Sequence, residues 1–230
     1  MRHVLTSLCL MTSLTAGAAH ADAGPVVVEL YTSQGCSSCP PADEMLTELA
    51  SRDDVIALAL HVDYWDYIGW ADSFANPVHT QRQHDYARAA GSATVYTPQM
   101  VIGGVDHVVG SRPMEVADLL QAHRGQDHGV DLDIARDGDV IIVEATSDNA
   151  APMVIQMVRY MPQETVAIGR GENAGQEITY SNIVTAWQAV ATWDGTEEIA
   201  IQAEIEGDDP VVVLVQSGTN GPILAAAQLR

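Results

Sequence analysis

The chain has 230 residues, 47% of them hydrophobic, with 31 acidic side chains against ten basic ones and a formal net charge of −21. That balance excludes nucleic acid and anionic lipid as partners, because both need a cationic footprint. All ten cations are arginine, and the acidity itself is read as a means of staying soluble.

Residues 1–21 read as a secretory signal. Arg2 supplies the positive end, residues 4–14 are apolar, and Ala19-His20-Ala21 is an A-x-A cleavage site. Ala21-Asp22-Ala23 is an alternative, so the mature chain is expected to begin at Asp22 or Gly24. This address predicts a periplasmic or secreted protein, in a compartment where disulfides persist. Cys9 leaves with the signal, which makes Cys36 and Cys39 the mature cysteines. No later segment is long and apolar enough for a membrane span, which takes about 20 residues.

The remainder divides at the polar, Gly-containing stretch 123–129, giving expected domains over 24–125 and 129–230. In the first, residues 26–31 form an apolar strand suited to a buried parallel sheet, 42–51 a helix, and 55–61 a second apolar strand. A polar helix over 77–90 follows. Residues 99–102 and 105–109 then read as a hairpin around Gly103-Gly104, and a last helix starts at Pro113. In the second domain the segments 131–134, 140–145, 153–160, 165–168, 178–190, 198–205, 211–216 and 223–229 read as strands separated by turn signals. Strands at that spacing predict an antiparallel sandwich.

Cys36-Ser37-Ser38-Cys39 stands where the first strand hands over to the first helix. Free N–H groups and the positive end of a helix dipole favour a thiolate there, so the pair can cycle between dithiol and disulfide. Pro40-Pro41 fits a first helical turn, whose N–H groups lack partners anyway. Two other readings stand beside redox chemistry. One is a static clasp, whose very short loop would remove little unfolded-chain entropy. The other is a metal site built from Cys36, Cys39 and His61, suited to Cu(I) or Zn(II).

A second cluster, His61-Val62-Asp63-Tyr64-Trp65-Asp66-Tyr67-Ile68-Gly69-Trp70, leaves the C-terminal end of the second strand, where open α/β sheets place their sites. His61, Asp63, Tyr64 and Trp65 are candidates for a substrate groove beside Cys36. The plainer reading is a packed loop whose rings complete a small core around a hydrogen-bonded histidine. Gly169-Arg170-Gly171-Glu172-Asn173-Ala174-Gly175 lacks the glycine spacing of a dinucleotide loop and is read as a tight connection that could contact the first domain.

The order of elements over residues 24–124, with strand–CxxC–helix and Thr97-Pro98 before the hairpin, resembles the thioredoxin fold without its first strand and helix. More closely, the chain resembles an uncharacterised family of secreted bacterial proteins with a thioredoxin-like domain and a β-rich tail. The stretches that carry this are 29–43, 61–66, Val95-Tyr96-Thr97-Pro98-Gln99-Met100, 171–175 and 213–229. The resemblance implies an α/β thioredoxin-like N-terminal domain followed by a mostly β antiparallel sandwich. It further implies Cys36 as nucleophile, Cys39 as resolving thiol, and a cis Pro98 facing the disulfide. Thr97 would offer its backbone to a bound peptide, and Glu29 would be a buried acid that moves the proton of Cys39. Without it, Glu29 is a strand carboxylate that must be protonated or paired, and Pro98 is a turn proline. The expected function is thiol–disulfide exchange with protein thiols or disulfides and a separate redox partner. No cofactor beyond the disulfide is expected. The alternative is a non-catalytic or metal-binding module with a structural disulfide, and the oligomeric state is not written in the sequence.

Overall fold

The computed structural model describes residues 24–230, so the expected leader and Cys9 lie outside the described residues. The apolar run Val26–Thr32 forms β1, buried on both faces beyond its first residue. It pairs in parallel with β2 (Val55–His61), and antiparallel with β3 (Gln99–Ile102). Helix α1 (Pro40–Ala50) connects β1 to β2, and α2 (Pro77–Ala89) connects β2 to β3. The N-cap Asn76 accepts the Val78 N–H through its side chain, which satisfies one of the free donors of α2. Between β3 and β4 (Asp106–Val109) the chain turns through Gly103 and Gly104, both at positive φ. A Cβ on Gly104 would lie 2.6 Å from the Gly221 carbonyl oxygen, so no larger residue fits there. Helix α3 (Pro113–His123) closes this part of the chain.

Seven strands follow: β5 (Val130–Asp137), β6 (Val140–Ser147), β7 (Met153–Ala167), β8 (Glu177–Trp193), β9 (Ile199–Glu204), β10 (Val211–Ser217) and β11 (Ile223–Leu229). Strands β5, β6 and β9 make a small antiparallel sheet. The other four do not form a separate sheet. They continue the first one, giving a mixed eight-stranded sheet in the order β11-β10-β7-β8-β2-β1-β3-β4.

This corrects the expected fold class. The described residues form a mostly β structure of eleven strands and three α-helices built on one large mixed sheet. It is not an α/β thioredoxin-like domain joined to a separate sandwich. The physical reason lies at the outer edge of β2, which takes β8 as a parallel neighbour through Ala59 and Ile183. Asn182, at φ 49°, donates its side-chain amide to the Ala57 carbonyl, so a side chain completes a ladder that the backbone alone only begins. Strand β7 runs unbroken through the two segments read as separate strands, and pairs with β8 from Met153 to Ala167. A register shift at Arg159–Tyr160 lets this long ladder bend.

Packing follows the sheet. On one face, Val28 and Leu30 of β1 meet Leu46 and Leu49 of α1 and Val116 and Leu120 of α3. On the other, Val27 and Tyr31 join Tyr86 of α2 in a core that also holds Val158, Val184, Val212 and Leu214 from β7, β8 and β10. A third core lies between the small sheet and the far end of the large one, around Ile141, Val143, Ile155 and Val213. Burial of each such side chain stabilises by about 1.5–3 kcal/mol.

Candidate functional site

The cysteines stand where β1 stops and α1 begins. The turn is closed by the Ser33 carbonyl, which accepts the Cys36 N–H at 3.1 Å, and by the Ser33 hydroxyl, which accepts the Gly35 N–H. Cys39 is the N-cap of α1. Its carbonyl accepts the Ala42 and Asp43 N–H groups, but its side chain caps nothing, because its sulfur is bonded to Cys36. The disulfide therefore spans the positive end of α1. Cys36 is 1% exposed and Cys39 fully buried, whereas Ser37 and Ser38 between them are exposed.

Loop residues after β2 and before β3 flank this turn. The Thr97–Pro98 peptide is cis. Trp65 donates its indole N–H to Thr97 Oγ1 at 2.8 Å, and Ser38 Oγ lies 3.5 Å from the Thr97 carbonyl. Gly35 lets the loop approach: a Cβ there would meet Trp65 and Ile68 at 3.3 Å. Tyr64 donates to Gln83 Oε1 on α2, and Asp63 accepts the Thr80 hydroxyl at 2.6 Å. Trp65, Thr97 and Pro98 are thus brought to the CxxC turn, while the polar groups of Tyr64 and Asp63 are committed to α2.

Beneath the turn, on the α1 face of the sheet, lies a group of buried polar atoms that sequence reading only partly found. His61 Nδ1 donates to Asp72 Oδ2 at 2.8 Å, and the Gln34 and Phe74 amides also donate to Asp72. Burial alone would raise the Asp72 carboxyl, but these bonds hold it below its ordinary range. His61 Nε2, Thr32 Oγ1, both Asp43 carboxylate oxygens and Tyr180 OH are buried without a hydrogen-bond partner. Asp43 is one helical turn beyond Cys39 and on the same face. Burial pushes its carboxyl up to about 7, against the pulls of His61 and of the Thr32 hydroxyl, which lies near it without a well-formed hydrogen bond. Tyr180, in edge contact with the His61 ring, is raised by burial and then by Asp43 and Asp72.

Glu29 is not among these groups. It points to the opposite face of β1, where Arg82 donates to both its oxygens at 2.7 and 2.8 Å and the Tyr31 and Tyr86 hydroxyls donate as well. Arg82 also reaches Gln216 and stacks 3.9 Å from the Trp187 ring centre.

Residues 168–176, which join β7 to β8, cross over the CxxC turn. Asn173 is buried and donates its side-chain amide to the Gln34 and Cys36 carbonyls, both at 2.9 Å. Glu172 accepts the Ser37 N–H at 3.3 Å. Trp70 packs against Gly169 and Gly171 of the same arm and donates to Gln34 Oε1 at 2.8 Å. Sequence reading singled out this stretch without assigning Asn173 or Glu172 a place. Asp43 could have been found from its i+4 spacing to Cys39; nothing local marks Asn173. Among the described residues, no three His, Cys, Asp or Glu side chains are grouped to hold a metal ion. No helix among them is long and apolar enough to cross a membrane.

Fold and site together define a mixed-sheet protein with a buried CxxC disulfide at a strand-to-helix turn, overlain by an arm from its β-rich half. The chain belongs to the family described as "Protein of unknown function (DUF1223)", whose model matches residues 27–216. It is similar to a protein of Agrobacterium tumefaciens solved by X-ray crystallography in a structural-genomics programme. The two share 33% identity with a TM-score of 0.78, over 91% of this chain and 96% of that one. A hypothetical protein of Pyrococcus horikoshii aligns at 13% identity and a TM-score of 0.24, over 46% of this chain and 90% of that one, too distant to inform the fold. No curated protein matches.

Proposed function

We propose that the protein is an exported thiol–disulfide oxidoreductase, periplasmic or secreted, working through Cys36 and Cys39 on client protein thiols or disulfides. The observation that carries this is the disulfide's place at the N-cap of α1, with the unpartnered carboxyl of Asp43 one turn behind it. A client thiolate attacks Cys36 Sγ, the Cys36–Cys39 bond breaks, and Cys39 leaves as thiolate. Asp43, whose carboxyl burial raises to about 7 and which stands one helical turn beyond Cys39, would be the proton donor to that thiolate. A second client thiol then displaces Cys36 from the mixed disulfide, leaving the client oxidised and the protein holding two thiols. In the reverse direction Cys36 is the nucleophile and Cys39 resolves. Thr97 and Pro98, braced by Trp65, shape the face where a client backbone would dock, and His61, held by Asp72, lines the proton side. A separate redox partner restores the starting state. Glu29 is left out of the proton path, because the sheet stands between it and α1.

The test is exchange by single variants of the mature protein. Cys36→Ser is expected to abolish exchange and Cys39→Ser to accumulate mixed disulfides; wild-type rates in both would sink the reading. One observation favours a second reading, a structural clasp in a binding module: both cysteines are buried. A clasp of that kind would stay oxidised in glutathione buffers that leave the protein folded.

A further inference from the structure

The backbone of the turn that carries Cys36 is held from the far half of the chain. Of the four motif residues, Ser37 and Ser38 are open to solvent, while Cys36 lies against the turn that Asn173 holds down. Asn173 is itself 1% exposed and spends its side-chain amide on the two carbonyls that flank Gly35, those of Gln34 and Cys36. Its own carbonyl oxygen is fixed by Gln176 at 3.2 Å, so the amide cannot flip without losing that bond. The arm is pinned again where its glycines sit on Trp70, and Trp70 in turn holds Gln34. Around the pinned centre the arm is mostly exposed: Gly169, Arg170, Glu172, Ala174, Gly175 and Gln176. An arm held by the buried Asn173, by Ile168 at its root and by the Trp70 contact, and otherwise solvated, can open locally without global unfolding.

Glu172 adds a chemical effect. Its carboxylate occupies the Ser37 N–H, the amide next to Cys36. In the reduced protein that N–H is among the donors available to a Cys36 thiolate, and a carboxylate held there both competes for it and repels the developing charge.

We infer that the arm is part of the redox site, with Asn173 the positioning residue that latches it over Cys36 and Glu172 the residue that restrains the Cys36 thiolate. The inference rests on the oxidoreductase reading. Reduction of the native disulfide then proceeds in two steps: the arm lifts, and a thiol attacks Cys36 Sγ with Cys39 as leaving group. At high thiol concentration the lifting step limits the rate. The arm thereby favours clients that engage its exposed flank and help to lift it over free small thiols.

The experiment is the rate of reduction of the folded, oxidised mature protein by dithiothreitol and by glutathione over a wide concentration range. The expected result is saturation at a common plateau for both reagents. Asn173→Ala should raise that plateau about tenfold to a hundredfold, the worth of two lost hydrogen bonds. Rates linear in thiol and unmoved by Asn173→Ala would overturn the inference. Should Asn173→Ala not fold, the wild-type plateau decides, together with Glu172→Gln. In reduced Glu172→Gln the pH profile of Cys36 alkylation should shift to lower pH, and an unshifted profile would count against the role given to Glu172. The oxidoreductase reading fails in a different way. If wild type is reduced only at its global unfolding rate while Asn173→Ala is reduced when folded, the latch stands and the catalytic reading falls. If both are reduced only on unfolding, both ideas fall.

Discussion

The two faces of β1 and β2 carry buried polar clusters of similar composition and opposite condition. On the α2 face, Glu29 accepts from Arg82, Tyr31 and Tyr86, and Arg82 is further engaged by Gln216 and Trp187. Every charged group of that network is paired, and the buried Nε2 of His79 on α2 lies outside it without a partner. On the α1 face, Thr32, Asp43, His61 and Tyr180 each keep a buried polar atom without a partner. Burial at low dielectric is costly for such atoms, and a structure that served stability alone would pair or remove them. The comparison teaches that the satisfied cluster holds the sheet and α2 together, whereas the unsatisfied one, beside the disulfide, is where the proposed proton transfer would take place.

The largest effect expected from this contrast is on the satisfied side. Arg82→Met leaves Glu29 buried and unpaired, and should cost about 3–5 kcal/mol in urea unfolding. Adding Glu29→Leu to it should recover much of the loss, since an apolar pair of similar volume needs no partner. A double variant as unstable as the single one would mean that the network is not a closed unit.

On the unsatisfied side the prediction is a pH dependence. Asp43 has a folded pKa raised to about 7 by burial. Between its unfolded value near 3.9 and about 7 the folded state holds a proton that the unfolded state has lost, so stability falls as pH rises. The full window is worth up to about 4 kcal/mol, and Asp43→Asn should abolish that fall. His79, on α2, contributes the opposite slope. Burial lowers its pKa to about 4, so between about 4 and 6.5 the unfolded state binds the extra proton, and stability is lost as pH falls. That contribution is worth up to about 3 kcal/mol. The two oppose each other in wild type. Asp43→Asn should therefore expose a stability that climbs from pH 4 to 6.5, and His79→Phe one that declines. Parallel curves for the two variants would break the assignment.

The smallest effect concerns the flank of the turn. Trp65→Phe removes the bond to Thr97 Oγ1 and keeps most of the ring packing. It should slow exchange with a protein client about fivefold, the worth of about 1 kcal/mol. Exchange with dithiothreitol, which needs no docked backbone, should be little changed.

Much of the local framework was legible in the sequence. The apolar runs gave β1 and β2, the paired glycines gave the β3–β4 turn, and the CxxC spacing placed the disulfide at the start of α1. Even the dilemma of Glu29 was legible, since a carboxylate in a buried strand must be paired or protonated. Its partner was not. Arg82 lies 53 residues away, and on its own helix it looks like one more polar residue. The same limit explains the fold-class correction. The continuous burial of β2 announces neighbours on both edges, but periodicity does not say that the second is β8, more than a hundred residues later. Asn173 is the extreme case, since its two bonds to the CxxC turn span 137 and 139 residues. Local pattern reports that a side chain is buried, and only the closed chain reports against what.

The measurement that tests the central claim most directly is the reduction potential of Cys36–Cys39, obtained by equilibrating the folded mature protein in graded glutathione buffers. The account predicts a reversible two-electron transition between about −120 and −270 mV, the range of working oxidoreductases. A pair that resists reduction below about −300 mV while the protein stays folded would contradict it and make the disulfide a structural clasp.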